Sequence, residues 1–308
     1  QGGAGIQPMG SLAVDLFGKR LKNPVMNASG TLGYGVEVEP LWAVETMGAY
    51  VTKGLSAAPH HGNPTPRVWE ERCGMLNSIG LQNVGVHRFF SHYFPFFVER
   101  RCPVIVNFFG FSEEEYLSCA RSIEPHDLIV ALEMNLSCPN IKKGGIGFGK
   151  EASAVHGIVR SVREATEIPL IAKLTPEVKN IVEIARAAYE GGADGLTLIN
   201  TMPAAVVDVR ARRVALKGGL SGPLLKPVAL RAVHECSQAV PIPIIGVGGI
   251  MNAGDALAFL MAGARAVQVG TATFVDPFTM PKIIAELGSW LDASGLAEIS
   301  AIVGATHG

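Results

Sequence analysis

The chain has no long run of apolar residues, although 48% of its 308 residues are hydrophobic. Its most apolar stretches, LTLINTMPAAVV and VPIPIIGVGGI, are interrupted by polar residues or proline and fall short of the ~20 residues that span a bilayer. The first ten residues, QGGAGIQPMG, lack the basic and apolar regions of a signal peptide. We therefore expect a soluble protein. Since these ten residues also lack an initiator Met, we expect them to be partly foreign to the natural chain.

Charge and cysteine are sparse as well. Charged residues make up 17% of the chain, the formal net charge is −1, and no block of basic residues is present, which argues against nucleic acid as a partner. The five cysteines stand at positions 73, 102, 119, 138 and 236, and no two share a C-x-x-C spacing. This excludes zinc sites and iron–sulfur clusters built from neighbouring cysteines. An odd, scattered set also argues against a disulfide framework and fits a reducing cytoplasm.

Short β-branched runs alternate along the chain with stretches of helical period, most of which end in glycine or proline. The predicted strands lie within residues 23–30, 49–54, 103–110, 128–138, 169–176, 194–200, 243–250 and 266–272. The predicted helices lie within residues 38–47, 113–123, 152–166, 178–192, 224–238 and 253–264. Eight nearly continuous apolar strands alternating with helices predict an α/β protein with a (β/α)₈ TIM barrel. A doubly wound open sheet is the alternative, but such sheets usually have fewer strands.

The predicted barrel forms one domain over residues 1–308, because no linker, low-complexity tract or shift in composition divides the chain. A long insertion, roughly residues 55 to 102, separates the second and third predicted strands. Within it, the segment FFSHYFPFFVER (89–100) is strongly aromatic. This segment is predicted to form either a local hydrophobic cluster or a contact with a partner.

Active sites of such barrels lie at the carboxyl ends of the strands. The predicted strand ends are rich in amides, carry two lysines and hold no Asp or Glu, which argues against paired-carboxylate chemistry and carboxylate metal sites. These residues suit an anionic, planar ligand with several carbonyl groups. The strand-end residues are Asn27, Ala28, Ser29, Gly30, Lys53, Gly54, Asn107, Asn135, Cys138, Lys173, Asn200, Thr201, Gly248, Gly249, Gly270 and Thr271.

The last two predicted strands end in glycine, at Gly248, Gly249 and Gly270, followed by Thr271. Glycines there let backbone N–H groups approach an anion, and phosphate sites of these barrels commonly follow the seventh and eighth strands. The sequence therefore predicts a phosphate site. Its ligand could be a phosphosugar, a nucleotide or flavin mononucleotide (FMN).

Three further strand-end side chains carry chemistry of their own. Lys53 and Lys173 could each form a Schiff base or place a fixed positive charge beside an electron-accepting cofactor. Cys138, in the stretch EMNLSCPN, is by itself either an inert buried thiol or a catalytic base.

Ten motifs in fixed order give the chain a close resemblance to dihydroorotate dehydrogenase from about Leu12 onward. They are NASGTLGYG, VTKG, GMLNSIGLQN, VNFFG, NLSCPN, IAKLTP, LINT, GGLSGP, GVGGI and VQVGTA. The segment SCPNIKKGGIGFG resembles the catalytic loop of the class 1B catalytic subunit. The membrane-bound class 2 enzymes carry serine at the position of Cys138 and an amphipathic extension, so the sequence does not resemble that class.

This resemblance implies a pyrimidine-synthesis enzyme that oxidises dihydroorotate to orotate with FMN, with Cys138 as the base. It implies flavin contacts at Ala28, Ser29, Lys53, Gly54, Asn107, Asn135, Lys173, Ile199, Gly222, Gly248, Gly249, Gly270 and Thr271. It implies substrate contacts at Lys53, Asn77, Ser78, Ile79, Gly80, Leu81, Asn135, Asn140, Asn200 and Thr201. No metal site is implied, and the neighbouring His60 and His61 are assigned no metal.

The resemblance also implies partners. A class 1B chain works within a homodimer-based heterotetramer, in which a second subunit carrying FAD and an iron–sulfur cluster passes electrons to NAD⁺. The nearer alternatives are a class 1A homodimer that uses fumarate and a dihydropyrimidine dehydrogenase-like flavoenzyme, which typically has histidine at the position of Asn140. More distant ones are a phosphosugar isomerase or lyase and a flavin subunit that only relays electrons.

Overall fold

The computed structural model describes residues 10–137 and 148–308. The strands in these ranges are β1 (Val14–Leu16), β2 (Lys19–Leu21), β3 (Val25–Asn27), β4 (Tyr50–Val51), β5 (Val68–Glu71), β6 (Gly74–Asn77), β7 (Val104–Phe108), β8 (Ile129–Asn135), β9 (Leu170–Leu174), β10 (Gly195–Leu198), β11 (Met202–Asp208), β12 (Arg213–Ser221), β13 (Ile244–Val247) and β14 (Ala266–Val269). The α-helices are α1 (Val86–Arg88), α2 (Phe94–Arg100), α3 (Glu113–Arg121), α4 (Ala152–Ala165), α5 (Ile181–Glu190), α6 (Lys226–Ala239), α7 (Ala253–Met261), α8 (Ala272–Val275) and α9 (Thr279–Ser294).

Eight parallel strands form the central sheet, in the order β3-β14-β13-β10-β9-β8-β7-β4. The two outer strands meet through a parallel bridge between Met26 and Ala49, so the sheet curls into a barrel. The Asn27 side chain completes this seam, since its Nδ2 donates to the Val51 carbonyl (2.7 Å) and its Oδ1 accepts from the Val51 N–H (2.9 Å). The predicted (β/α)₈ barrel and its eight strands are confirmed.

Residue type explains the main elements. All five residues of β7 and of β9 are buried, as expected for parallel strands covered on both faces. Helices α3, α5 and α7 are each preceded by a capping residue, which is Ser112, Asn180 and Asn252 respectively. The side chain of each capping residue accepts a hydrogen bond from a backbone N–H in the first turn of its helix. In the described ranges, no helix is long and apolar enough to cross a membrane.

One predicted helix is wrong. Residues 38–47 contain turns and a single 3₁₀ turn over Val44–Thr46. Pro40 has no N–H to donate within a helix, and the preceding Gly33 and Gly35 adopt positive φ, so this segment follows β3 as a loop. The five other predicted helices are confirmed as α3 to α7, whereas α1, α2, α8 and α9 have no predicted counterpart.

The predicted insertion after β4 is confirmed, and it joins a second insertion that was not predicted. Strands β5 and β6 belong to the first, and β11 and β12 lie between β10 and α6. Together they form an antiparallel sheet in the order β11-β12-β6-β5. Because β11 begins four residues after β10 ends, this sheet starts at the same edge of the barrel as the predicted strand-end residues.

The opposite edge of the barrel is covered by the hairpin of β1 and β2. A Cβ atom placed on Gly195, the first residue of β10, would lie 2.6 Å from the ring of Phe17 in this hairpin. The close contact shows that the Phe17 ring packs beneath the amino ends of the strands. Catalysis in such a barrel belongs at the other edge.

The aromatic segment 89–100 packs internally. Phe89 and Phe97 are fully buried, and the Phe97 ring lies 4.7 Å from that of Tyr50 in β4. The interpretation as a local hydrophobic cluster is therefore confirmed for these side chains.

Candidate active site

A cavity of about 790 Å³ opens at the carboxyl ends of the barrel strands. Its volume is typical of a site for a cofactor or another small molecule. Most of the site residues predicted from the sequence line it. They are Ala28, Ser29, Lys53, Asn77, Ile79, Lys173, Ile199, Asn200, Thr201, Gly222, Gly248, Gly249, Gly270 and Thr271.

The remaining predicted residues that the structure describes stand next to this lining. Asn107 is buried in β7, and a Cβ on Gly54 would lie 2.8 Å from its Oδ1. Asn135 ends β8, whereas Ser78, Gly80 and Leu81 lie in the loop after β6. Two predicted residues, Cys138 and Asn140, lie outside the described residues.

Four glycines form a cradle in which backbone replaces side chains. Gly249 has φ +72°, and a Cβ there would lie 2.8 Å from the amide N of Lys226 and 2.9 Å from the carbonyl O of Gly222. Gly222 itself has φ +103° and Gly248 φ +134°. A Cβ on Gly270 would lie 3.2 Å from that of Ala28. We call Gly222, Gly248, Gly249 and Gly270 the glycine cradle; such exposed backbone is suited to binding an anion.

An ion pair holds the loop after Gly249 in place. The buried Asp255 carboxylate accepts the Met251 N–H through Oδ2 (2.9 Å) and pairs with Lys226 Nζ through Oδ1 (2.6 Å). Since Lys226 begins α6, this carboxylate ties the loop to the start of a second helix. Nearby, Thr271 Oγ1 donates to Ser221 Oγ at 2.7 Å.

Two lysines direct positive charge into the cavity. Burial lowers the pKa of Lys53, and the positive charges of Arg67 and Lys173 lower it further. Within the described ranges Lys53 has no carboxylate partner in ion-pair distance. Lys173 is only 7% exposed and lies 3.8 Å from the Glu133 carboxylate. Holding two like charges near each other, partly shielded from water, is unfavourable, and a bound anion would relieve that cost.

The strand-end amides are joined to one another by hydrogen bonds. Asn200 Nδ2 donates to Asn135 Oδ1 (3.0 Å) and to Ser137 Oγ (2.7 Å). Asn200 Oδ1 accepts the backbone N–H of Thr201 at 2.8 Å. These bonds fix how the amides face the cavity, so a ligand with both donors and acceptors could be oriented there.

Sequence reasoning missed one charged residue of the barrel interior. Glu133 of β8 is fully buried and accepts hydrogen bonds from Asn107 Nδ2 (2.7 Å), Thr197 Oγ1 (2.7 Å) and Gln268 Nε2 (2.6 Å). Its position in the middle of the apolar run LIVALEMN was the available signal, since Glu is almost never fully buried without partners.

Other residues of the lining were missed too, because none of them lies within a predicted strand. Tyr34, His60, His61, Arg88, Met251 and Phe274 contribute to the cavity wall. No cluster of three or more His, Cys, Asp or Glu side chains suited to a metal ion occurs in residues 10–137 and 148–308.

Comparison with known proteins agrees with this geometry. The family model described as dihydroorotate dehydrogenase matches residues 11–291. The chain is 50% identical to a protein of Geobacter sulfurreducens and 49% identical to one of Geotalea uraniireducens, in each case over 96% of this chain and 97% of the relative. A protein of Desulforamulus reducens is 49% identical over 96% of this chain and 99% of the relative. All three are named dihydroorotate dehydrogenase B (NAD(+)), catalytic subunit. The chain therefore belongs to the dihydroorotate dehydrogenase family.

Proposed function

We propose that this chain oxidises (S)-dihydroorotate to orotate, with FMN as the hydride acceptor, in the synthesis of pyrimidines. The observation that carries the proposal is a single cavity that combines a glycine cradle, two lysines and a set of fixed amides, in a member of the dihydroorotate dehydrogenase family. A phosphosugar isomerase or lyase would use the cradle but not the amides. It would also need an acid and a base at the strand ends, and the predicted strand ends hold no Asp or Glu.

FMN suits the residues of the cavity. A Cβ on any of the four cradle glycines would lie within 3.2 Å of a neighbouring atom, so bare backbone lines this part of the wall, as a phosphate requires. When bound, FMN would accept the hydride from C6 of the substrate. The remaining flavin contacts would come from Ala28, Ser29, Lys53, Gly54, Asn107, Asn135, Lys173, Ile199 and Thr271.

The amides would hold the substrate. An orotate ring presents imide donors, carbonyl acceptors and a carboxylate, and each Asn supplies a donor and an acceptor. Asn77, Asn135, Asn140 and Asn200 would therefore fix the ring, with Thr201 and the segment Ser78 to Leu81 around it. Lys53 would pair with the negative charge of the ligand.

Cys138 would remove the proton from C5 of dihydroorotate. This proton lies beside a carbonyl group and is only weakly acidic, so a positioned base contributes typically ~10² to 10⁴ in rate. Its neighbour in sequence, Ser137, is hydrogen bonded to Asn200, one of the proposed substrate residues. Lys173 would stabilise negative charge on the reduced cofactor.

An anaerobic absorbance spectrum of the purified chain, before and after adding dihydroorotate, tests the proposal. We expect a yellow flavin band that bleaches on addition, because the cofactor takes up the hydride. The Cys138→Ala variant should keep the band but bleach at least ~100-fold more slowly, as expected for loss of a general base. A Cys73→Ala variant is the matched control and should bleach at the normal rate, because Cys73 lies on the protein surface.

The other outcomes separate the alternatives. A flavin band that dihydroorotate does not bleach would keep the cofactor and move the substrate to another dihydropyrimidine. Absence of any flavin band, even after adding free FMN, would overturn the proposal in favour of a phosphosugar ligand. Equal bleaching of wild type and Cys138→Ala would show that a group other than Cys138 removes the proton.

We further propose that electrons leave through a second subunit that carries FAD and an iron–sulfur cluster and reduces NAD⁺, within a homodimer-based heterotetramer. The names of the relatives, which specify NAD(+) and a catalytic subunit, support this. Alone, the FMN-loaded chain should oxidise dihydroorotate without reducing NAD⁺. Rapid turnover with fumarate instead would favour the class 1A alternative.

We infer that the protein works in the cytoplasm. The free thiols of Cys73, Cys102, Cys119 and Cys236 support a reducing compartment. Fractionation of the cells that make the protein would test this, since recovery with membranes would contradict it.

A further inference from the structure

The Glu133 carboxylate joins several barrel strands just below the cavity in which the proposed flavin chemistry would take place. It reaches Asn107 of β7, Lys173 of β9, Thr197 of β10 and Gln268 of β14 from its own place in β8. Five of the eight barrel strands therefore meet at one buried group, directly below the strand ends that line the cavity.

All the partners of Glu133 are donors or a cation. The three hydrogen bonds are 2.6 to 2.7 Å long, and each comes from a side-chain N–H or O–H. Such a set matches a carboxylate, which is acceptor-only. Beside it, the Lys173 ammonium is the one cation within 4 Å in the part of the chain that the structure describes.

The Asn107 amide is held in one orientation by this carboxylate. Its Nδ2 donates to Glu133 Oε1, so its Oδ1 faces the other way, toward Gly54. Without an acceptor at position 133, the amide could rotate and present nitrogen where it now presents oxygen. Glu133 thereby decides which group Asn107 offers at the edge of the cavity.

We infer that Glu133 is a positioning residue that holds Asn107 and Lys173 and balances the positive charge beneath the proposed flavin. The inference rests on the proposed function, because both partners act on FMN. Two lysines carry positive charge into the cavity, and Glu133 offsets part of it from below. Removing its negative charge would leave more net positive charge next to the cofactor, which favours the negatively charged reduced form.

The Glu133→Gln variant separates charge from shape. Its amide oxygen can still accept from Asn107, and its amide N–H can donate to the Thr197 hydroxyl. Gln268 can rotate its own amide, whose Oε1 is buried without a partner in the described ranges, and accept the second N–H. The network can therefore keep its bonds while losing one charge.

The measurement is the flavin reduction potential of the FMN-loaded chain, by anaerobic titration against reference dyes. For Glu133→Gln we expect the ratio of reduced to oxidised flavin to rise at least tenfold at a fixed potential, which is about 30 mV for two electrons. The matched control is Thr197→Val, which removes a hydrogen bond to the same carboxylate but keeps its charge and the side-chain shape. Thr197→Val should lower the urea midpoint of unfolding. It should leave the ratio of reduced to oxidised flavin, at the same fixed potential, within threefold of wild type.

The outcomes are distinct. A potential that is unchanged or lower in Glu133→Gln, with flavin bound, would overturn the role of Glu133 and leave the proposed function intact. Equal shifts in Glu133→Gln and Thr197→Val would show that the residue acts through packing alone and would also overturn it. Failure of the wild-type chain to bind flavin would overturn both.

Discussion

Burial affects the titratable residues of this protein in opposite directions, according to which form is charged. Lys53 is charged when protonated, so burial lowers its pKa. A cysteine is charged when deprotonated, and burial raises the pKa of Cys102, Cys119 and Cys236 to about 12 each. The same desolvation that keeps these thiols inert makes Lys53 sensitive to the arrival of an anion.

The lowered pKa of Lys53 predicts an alkaline limit to ligand binding. In the ligand-free chain its ammonium loses the proton below pH 10.5, the ordinary lysine value. Above the lowered pKa the unfolded chain holds more protons than the folded one, so the ligand-free protein gains stability as the pH rises toward 10.5. Orotate affinity should fall over the same range, by about tenfold per pH unit once the ammonium titrates.

Calorimetric titration of orotate from pH 7 to 10.5, on wild type and Lys53→Arg, measures this effect. Arginine stays charged throughout the range, so the part of the alkaline fall that belongs to Lys53 should disappear in the variant. Parallel curves for the two proteins would contradict the assignment, because groups elsewhere would then account for the fall.

The raised thiol pKa values predict selective alkylation. At pH 8 a thiol with a pKa of about 12 is ionised to about one part in 10⁴, and the thiolate is the reactive form. Iodoacetamide should therefore label Cys73 of the folded chain and spare Cys102, Cys119 and Cys236, as mapped by peptide mass spectrometry. The urea-unfolded chain should label at all four. Labelling of Cys102 as fast as Cys73 in the folded protein would contradict the prediction.

At the scale of single elements, the glycine cradle depends on two separate properties of glycine. Gly249 needs a positive φ, and it also needs the absence of a Cβ, because backbone atoms of Lys226 and Gly222 lie in the way. Gly295, at the end of α9, has nearly the same φ (+69°) with nothing within 4 Å of its Cβ position. A substitution at Gly295 therefore tests backbone strain alone, whereas the same substitution at Gly249 tests strain and steric crowding together.

Gly249→Ala and Gly295→Ala should each lose roughly 1–2 kcal/mol of stability from left-handed strain. Gly249→Ala alone should also displace the loop and weaken FMN binding at least tenfold, about 1.4 kcal/mol. Fluorescence titration with FMN and urea unfolding measure the two effects. Wild-type FMN affinity in Gly249→Ala would show that this loop does not hold the phosphate.

At the scale of the whole molecule, the barrel is closed partly by a side chain. Between β3 and β4, the fully buried Asn27 occupies both the N–H and the C=O of Val51, as a neighbouring strand would. Asn27 was among the strand-end residues from which a ligand site was predicted, and the structure gives it this bridging position instead. Strand β4 has only two residues, so it can form few backbone hydrogen bonds with its neighbours.

Asn27→Leu should therefore be strongly destabilising. It leaves two buried backbone groups unpaired, at roughly 1–3 kcal/mol each. Urea unfolding should show a loss of about 2–6 kcal/mol. The matched control is Asn180→Ala. It removes an amide that likewise bonds two backbone groups, here by accepting the N–H of Val182 and of Glu183, but it does so at an exposed helix start and should cost about 1 kcal/mol. Equal losses would show that the seam does not depend on Asn27.

The repeating elements and the strand-end residues could be predicted from the sequence, because the signals that define them are local. Apolar runs of four to seven residues indicate buried parallel strands, and the barrel rule places all their carboxyl ends at one edge. That rule alone predicts that Lys53, Lys173 and the glycines after β13 and β14 lie at one edge of the barrel, where the structure has its cavity. The ordered motifs similarly indicated the family.

Only the tertiary structure decided the contacts that join distant parts of the chain. Pairing of β6 with β12 links residues more than 140 positions apart, and the bond from Gln268 to Glu133 spans 135. Neither has a period or a spacing that a window of sequence could show. Residue type alone determined which groups could bind, ionise or turn the chain. The burial of these groups and their hydrogen-bonding partners arose only when the barrel closed around them, and these set the pKa of Lys53 and the role of Glu133.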